Sequence, residues 1–200
     1  MNRYQFPLAL LIAALLTLNA GAQTKDFHDQ DLKGKDFTTT DLKGANFSEA
    51  VLKDCNFMNA NLPGANFHGA DVGAQFAGAN AQGCDFSGAK LSLFAFRADF
   101  SKCNLEGADM SQVSLLTNKF REANLKNTKG WGQATGCDFS NANLQGANLR
   151  GMTWLSTDQV PRFHGATYDD DTTWPEGFDP KAAGAILKAA EKKDDSAPKP

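Results

Sequence analysis

The 200-residue chain is poor in the features that mark membrane spans, nucleic-acid binders and metalloenzymes. Its one long apolar run is too short to cross a bilayer, and mean hydropathy is -0.41. Basic residues are not in excess. The 20 Lys and Arg stand against 23 Asp and Glu, a formal net charge of -3, which argues against the basic patch of a nucleic-acid-binding domain. Only three histidines occur, His28, His68 and His164, and no metal-ligand spacing joins them. No nucleophile elbow, phosphate-cradling glycine loop or zinc motif is present. Asp169-Asp170-Asp171 lacks the alternation and the glycine of a calcium loop. No catalytic, cofactor-binding or metal site is expected from these residues.

The N-terminus differs from the rest. Met1-Asn2-Arg3 is a short positive region, and Leu8 to Leu18 is an apolar run of signal-peptide length. Ala20 and Ala22 supply small residues at both specificity positions of a cleavage site. Residues 1–22 are therefore expected to be removed on export, leaving a periplasmic or extracellular protein without a membrane span. No cysteine follows the run to carry a lipid anchor.

The rest of the chain is dominated by self-similarity. Large apolar residues fall at every fifth position: Phe27, Leu32, Phe37, Leu42, Phe47, Leu52, Phe57, Leu62, Phe67, Val72. The spacing slips by one and resumes at Phe76, Ala81, Phe86, Leu91, Phe96. It slips again to Phe100, Leu105, Met110, Leu115, Phe120, Leu125, and after a break gives Phe139, Leu144, Leu149, Trp154. Two residues before most of these sits a small residue, such as Ala45, Ala50, Cys55, Ala60, Ala65 or Cys84, with Asn or Asp between the pair. A period of five fits neither a helix nor a strand. It fits a coil with four short sides, each pointing one large and one small side chain into a narrow lumen, so that stacked coils bury a continuous column.

The A-(D/N)-(L/F)-x-x pattern resembles the pentapeptide-repeat family over roughly residues 25–154. That resemblance implies an all-β fold, a right-handed quadrilateral β-helix, here over residues 23–154. Phe47, Phe57, Phe67, Phe76, Phe86, Leu52 and Leu62 are the expected structural core. Alternation of Phe with Leu should place a Phe ladder on each of two opposite faces at strand spacing, and about six coils would give a rod of about 30 Å.

All four cysteines, Cys55, Cys84, Cys103 and Cys137, fall on the small inward position, where each stands in for alanine as a small buried hydrophobe. Cys84 and Cys103 lie four units apart, on one face of adjacent coils; a bond between them is compatible in distance but strained by parallel side chains. The first coil carries Lys25, Gln30, Lys35 and Thr40 at its small positions and Asp26, Asp31, Asp36 and Asp41 beside them. It reads as a solvated cap shielding the strand edge, or as an acidic docking surface.

Residues 155–192 read as a C-terminal cap ending in a short capping helix, with Asp179 as N-cap, Pro180 in the first turn and Ala183, Ile186, Leu187 and Ala190 as its apolar stripe. Residues 193–200 read as a disordered charged tail. The stretch 126–136, KNTKGWGQATG, keeps no convincing inward pair. It is either a degenerate coil or a projecting loop; in the second case Trp131, flanked by Lys129 and Gln133, would anchor a partner. In the first, Trp131 folds back over the rod.

The function expected is that of a non-catalytic exported structural or interaction module with an unidentified protein partner, no cofactor and no nucleic acid. The resemblance offers another: some pentapeptide-repeat proteins mimic a DNA duplex and bind DNA gyrase. An export signal, a modest negative charge and the C-terminal cap count against it here. An exported carbohydrate-active β-helix enzyme would need an exposed carboxylate cluster, and outward carboxylates are thinly spread.

Overall fold

The computed structural model describes residues 25–188, so the leader, Ala190 and the charged tail lie outside the described residues. The chain winds as a four-sided β-solenoid of about 7 turns. Successive coils are joined by parallel bridges that step 20 residues and then mostly 19 or 20, as in Asp26↔Asn46↔Asn66↔Asp85↔Asn104↔Asn124↔Asn143. Where pairing is longest, strands are recognisable: β1 (Cys55–Asn56), β2 (Asp71–Val72), β3 (Ala74–Gln75), β4 (Lys90–Leu91), β5 (Phe94–Phe96), β6 (Ser114–Leu116), β7 (Gln133–Thr135), β8 (Thr167–Tyr168) and β9 (Ile186–Leu187). The third face carries a parallel five-stranded sheet, β1-β3-β5-β6-β7. The second face carries β2-β4 and the first β8-β9.

Each five-residue unit builds one side and one corner. The N–H of the small residue donates back to the carbonyl of the preceding large residue, as from Ala65 to Leu62 (2.9 Å), which closes a turn. The large residue's own N–H donates up to the next coil, as from Phe47 to Asn66 (2.6 Å). The Asn or Asp between them earns its place through an Asx turn: its Oδ1 accepts the N–H two residues on, as in Asp31–Lys33, Asn46–Ser48, Asn66–His68 and Asp85–Ser87. Amide side chains then link coils, with Asn61 Nδ2 donating to Asp41 and Asn80 Nδ2 to Asn61. The second corner residue sits at positive φ, which suits Gly64 (69°) but strains the β-branched Thr39 (55°) and Thr117 (53°).

The lumen is a stack of rings. Phe27, Phe47, Phe67 and Phe86 stack on the first face at 4.8, 4.8 and 4.6 Å, and Phe37, Phe57 and Phe76 on the opposite face at 4.9 and 4.9 Å. The two ladders meet edge to face. Beyond Phe86 the aromatic stack passes to the fourth face, where Phe100, Phe120, Phe139 and Phe163 stack at 5.1, 5.1 and 5.2 Å. Leu52, Leu62 and the four cysteines are fully buried beside them. All four thiols are free, and Cys55, Cys84 and Cys103 each lie about 3 Å from a carbonyl oxygen of the preceding coil, those of Leu32, Leu62 and Ala81.

The structure departs from the sequence pattern in three places. Phe96 is not a lumen residue. Over Leu91 to Ala98 the inward positions are Leu93 and Ala95, so large and small exchange places, and strand alternation in β5 turns Phe94 and Phe96 outward. The C-terminal helix is also absent: among the described residues there is no helix. Asp179 Oδ1 does accept the N–H groups of Lys181 and Ala182, but Gly184 (φ 81°) ends this turn at once, and β9 pairs in parallel with β8 instead. A single turn satisfies the cap, and a parallel strand buries more backbone than an isolated helical end would. Pairing also runs past Trp154: after an excursion, Arg162 bridges Asp138, Phe163 enters the aromatic stack and Thr167 bridges Asn143.

Candidate functional site

The residues singled out around the break in the repeat do not come together. Trp131 is 3 % exposed and lies inside the rod, edge-on to Phe120 (6.4 Å) and Phe139 (5.4 Å), with its indole N–H donating to Thr128 Oγ1 at 3.2 Å. Gly130 stands where the second face would carry a large side chain, bridged by its neighbour Lys129 to Asp109, and Trp131 fills the volume it leaves. The projecting-loop reading of Trp131 is thereby corrected: an indole in the lumen anchors no partner. Lys129 is exposed on the second face, while Gln133 is half-buried on the third, in β7. The corner between them is tight, since a Cβ on Gly132 would meet the Val113 carbonyl oxygen at 2.3 Å.

Charge on the outer surface alternates. Asp71, Lys90, Asp109 and Lys129 follow one another up the second face, and Asp99, Lys119, Asp138 and Arg162 up the fourth. Opposite charges on adjacent strands attract. Lys119 Nζ lies 3.3 Å from Asp99, and Arg121 Nε 2.6 Å from Asp138. Burial pushes the Asp99 and Asp138 carboxyls up, but hydrogen bonds from Ser101 and Ser140 and these cations outweigh it and hold both below the usual range. The first-coil carboxylates behave similarly: the Thr38 hydroxyl lowers Asp36, and the Lys43 N–H lowers Asp41. In the lumen, burial pushes the Cys137 thiol up to about 11.

Histidine has a partner that sequence spacing hides. His28 Nδ1 lies 2.9 Å from Ser48 Oγ, and His68 Nδ1 2.8 Å from Ser87 Oγ, each one coil along the first face. His28 Nδ1 also lies 3.0 Å from the Ser48 carbonyl oxygen. Among the described residues no three His, Cys, Asp or Glu converge as a metal site, and no helix is long and apolar enough to cross a membrane.

The third face is different in kind. Its outward side carries two columns, one residue before and one after the buried row. The first reads Asn56, Gln75, Phe94, Ser114, Gln133; the second reads Met58, Ala77, Phe96, Leu116 and Thr135, the last of them fully buried. Phe94 is 55 % exposed, and Met58, Ala77, Phe96 and Leu116 are half-buried. The second column continues to Leu155, 70 % exposed, whose N–H donates to Thr135 Oγ1. At this cluster's rim lies Arg97, its guanidinium 4.6 Å from the Phe96 ring centroid. An apolar, nearly uncharged strip on a flat sheet is the surface best suited to bind another chain. Sequence reading missed it because Phe96 was assigned to the lumen; the period-two alternation of Leu93, Ala95 and their neighbours was the available signal.

Eight copies of the pentapeptide-repeat model match the chain, over residues 26–57, 40–73, 72–92, 97–129 and 134–153, together more than half of its length. No curated protein matches it. Among solved structures, a pentapeptide repeat protein from the Arabidopsis thaliana thylakoid lumen is 28% identical over 66% of this chain and 73% of its own, with a TM-score of 0.33. A trypsin-treated form of QnrB1, a plasmid-mediated fluoroquinolone resistance protein, is 20% identical over 82% and 87%, with a TM-score of 0.44. HetL from Nostoc sp. strain PCC 7120, involved in heterocyst differentiation regulation, is 19% identical over 94% of each chain, with a TM-score of 0.32. The matched repeats coincide with the stacked coils between Asp26 and Thr153, and on that footing the chain belongs to the pentapeptide-repeat family.

Proposed function

We propose that this chain is an exported, non-catalytic interaction module that binds a short apolar segment of a partner protein on the outward side of the five-stranded face. The observation that carries the reading is the strip formed by Phe94, Phe96, Met58, Leu116 and Leu155. At strand spacing it measures about 24 by 12 Å, roughly 300 Å². A stable dimer needs about 800 Å² per partner. The strip is therefore too small for a second copy of the rod and of the right size for a segment of about six residues. The amide and hydroxyl groups of Asn56, Gln75, Ser114 and Gln133 flank it and can bond the segment's polar groups. Arg97, at the side of the strip beside Phe96, favours a carboxylate at that point of the segment. Export is supported by the Leu8–Leu18 run and by Ala20 and Ala22. The alternating signs along the outer columns weigh against a duplex-like charge pattern.

The test is selection from a displayed random-peptide library on the immobilised mature chain, with Phe94→Ser, Phe96→Ser and, on the neighbouring face, Gln82→Ser in parallel. Peptides with apolar residues and an acidic residue should be enriched, binding Phe94→Ser at least tenfold more weakly and Gln82→Ser unchanged. Selected peptides that bind all variants alike would refute the site. A mass that doubles with concentration, and fails to do so in Phe94→Ser, would assign the strip to a second copy. Export is tested separately: N-terminal sequencing of the exported chain should begin at Gln23, and a chain retained with Met1 would contradict it.

A further inference from the structure

The geometry of the third-face strip selects the conformation of the chain that can lie on it. The strands under the strip are inner members of the coil stack, paired both below and above, from Asp36↔Asn56 at one end to Gln133↔Thr153 at the other. A partner strand finds no edge to extend there, so strand addition is closed to it. A helix can lie along the rod, but its 5.4 Å turn drifts from the 4.8 Å coil spacing by about 2.4 Å over four coils. A polyproline II turn takes three residues and about 9.3 Å, against about 9.6 Å for two coils. Over the same four coils it stays in register to about 0.6 Å.

The strip also offers a slot. Phe94 and Phe96 stand on one coil, both outward, with Ala95 buried between them. Alternate residues of a strand are about 6.8 Å apart. A flat group held between two rings at carbon contact distance needs about 7–8 Å. One ring therefore fits between Phe94 and Phe96. Proline suits the place best, because its ring lies beside its own backbone and it has no N–H to leave unpaired over an apolar surface. The Arg97 guanidinium, 4.6 Å from the Phe96 ring centroid, steadies one jaw, and Phe94, 55 % exposed, is the other. Met58 lies two coils below Phe96, and Gln133 two coils above Phe94. Residues three before and three after the slotted proline would meet them. A polyproline II helix makes no hydrogen bonds of its own, so its carbonyls look outward for donors. The side-chain amides of Asn56, Gln75 and Gln133, in the column of Phe94, are donors of that kind.

We propose that the strip binds a proline-rich segment in the polyproline II conformation, lying along the rod axis with one proline between Phe94 and Phe96. The inference rests on the docking reading above and names the class of segment. About seven residues at 3.1 Å each cover the length of the strip.

The experiment measures binding of three fluorescein-labelled nine-residue peptides to the mature chain by anisotropy. The first is Pro-Pro-Leu repeated three times; in the second every proline is replaced by valine, and in the third by alanine. The proline peptide should bind at least tenfold more tightly than the other two. It should lose at least tenfold in Phe94→Ser and in Phe96→Ser and bind Gln82→Ser unchanged, with far-UV circular dichroism confirming that each variant keeps its coils. A valine or alanine peptide that binds as tightly, and still depends on Phe94, would overturn the polyproline II assignment while leaving the docking site in place. Proline-peptide binding that is indifferent to Phe94→Ser, or binding by none of the three peptides, would also overturn it. The displayed-library selection then decides separately whether the strip binds any segment at all.

Discussion

Replacing Trp131 with Ala is the sharpest way to ask whether the break in the repeat is a coil or a loop. The indole is 3 % exposed, stands edge-on to two phenylalanines of the stack and donates to Thr128. Truncating a buried Trp costs about 3–5 kcal/mol, through lost transfer energy and the cavity left behind. Gly130 has no side chain with which to fill that cavity, so the upper half of the range applies, about 4 kcal/mol. For a domain of this size that is a fall in Tm of about 8–16 °C. Chemical denaturation followed by far-UV circular dichroism measures it, with Lys129→Ala and Gln133→Ala as neighbours expected to stay within about 0.5 kcal/mol. Because each coil contacts only its neighbours, the transition should also broaden as the coils beyond Trp131 loosen first. A loss below about 1 kcal/mol would refute the placement of Trp131 in the lumen.

Other perturbations probe other parts of the account. Asn118 replaces alanine at a small position and is 1 % exposed; its side chain accepts the Ala98 N–H at 2.8 Å and donates to the Ala95 carbonyl at 2.9 Å. Asn118→Ala would leave that pair unmatched at the slipped coil and should cost about 2 kcal/mol by urea denaturation. Gly132→Ala drives a Cβ into the Val113 carbonyl and should lower Tm clearly, whereas Gly64→Ala meets open space and costs only its positive φ, about 1 kcal/mol. Asp36, Asp41, Asp99, Asp109 and Asp138 are all held below the ordinary 3.8. Their contribution is complete above the unfolded-state value and is lost as pH falls through the lower folded values. Tm should therefore be level near neutrality and drop below about pH 4, less steeply in Asp138→Asn.

The architecture was legible because its signal is a count. A large residue every fifth position and a small one two before it admit few geometries, and the family match and the bridge pattern agree on the same coil. The role of the intervening Asn or Asp was not legible, since it lies in hydrogen bonds to the N–H two residues on and to the coil above. One misreading and one open alternative share a cause. At Leu93–Ala95 and at Gly130–Trp131 the large residue leaves its usual position, and hydrophobicity alone then favours Phe96 for the lumen and leaves Trp131 undecided between a degenerate coil, which the structure shows, and a projecting loop. The other misreading, the C-terminal helix, arose because Asp179-Pro180 begins a helical turn whose continuation Gly184 prevents. The apolar strip on the third face became visible only once Phe94 and Phe96 were known to point outward together.

That strip is the centre of the functional account, and methyl NMR tests it most directly. With Met and Leu methyls labelled, a peptide selected on the native rod should shift Met58, Leu116 and Leu155, while Leu52, Leu62 and Leu105 in the lumen stay unmoved. Shifts confined to methyls away from the third face, or none at saturating peptide, would contradict it.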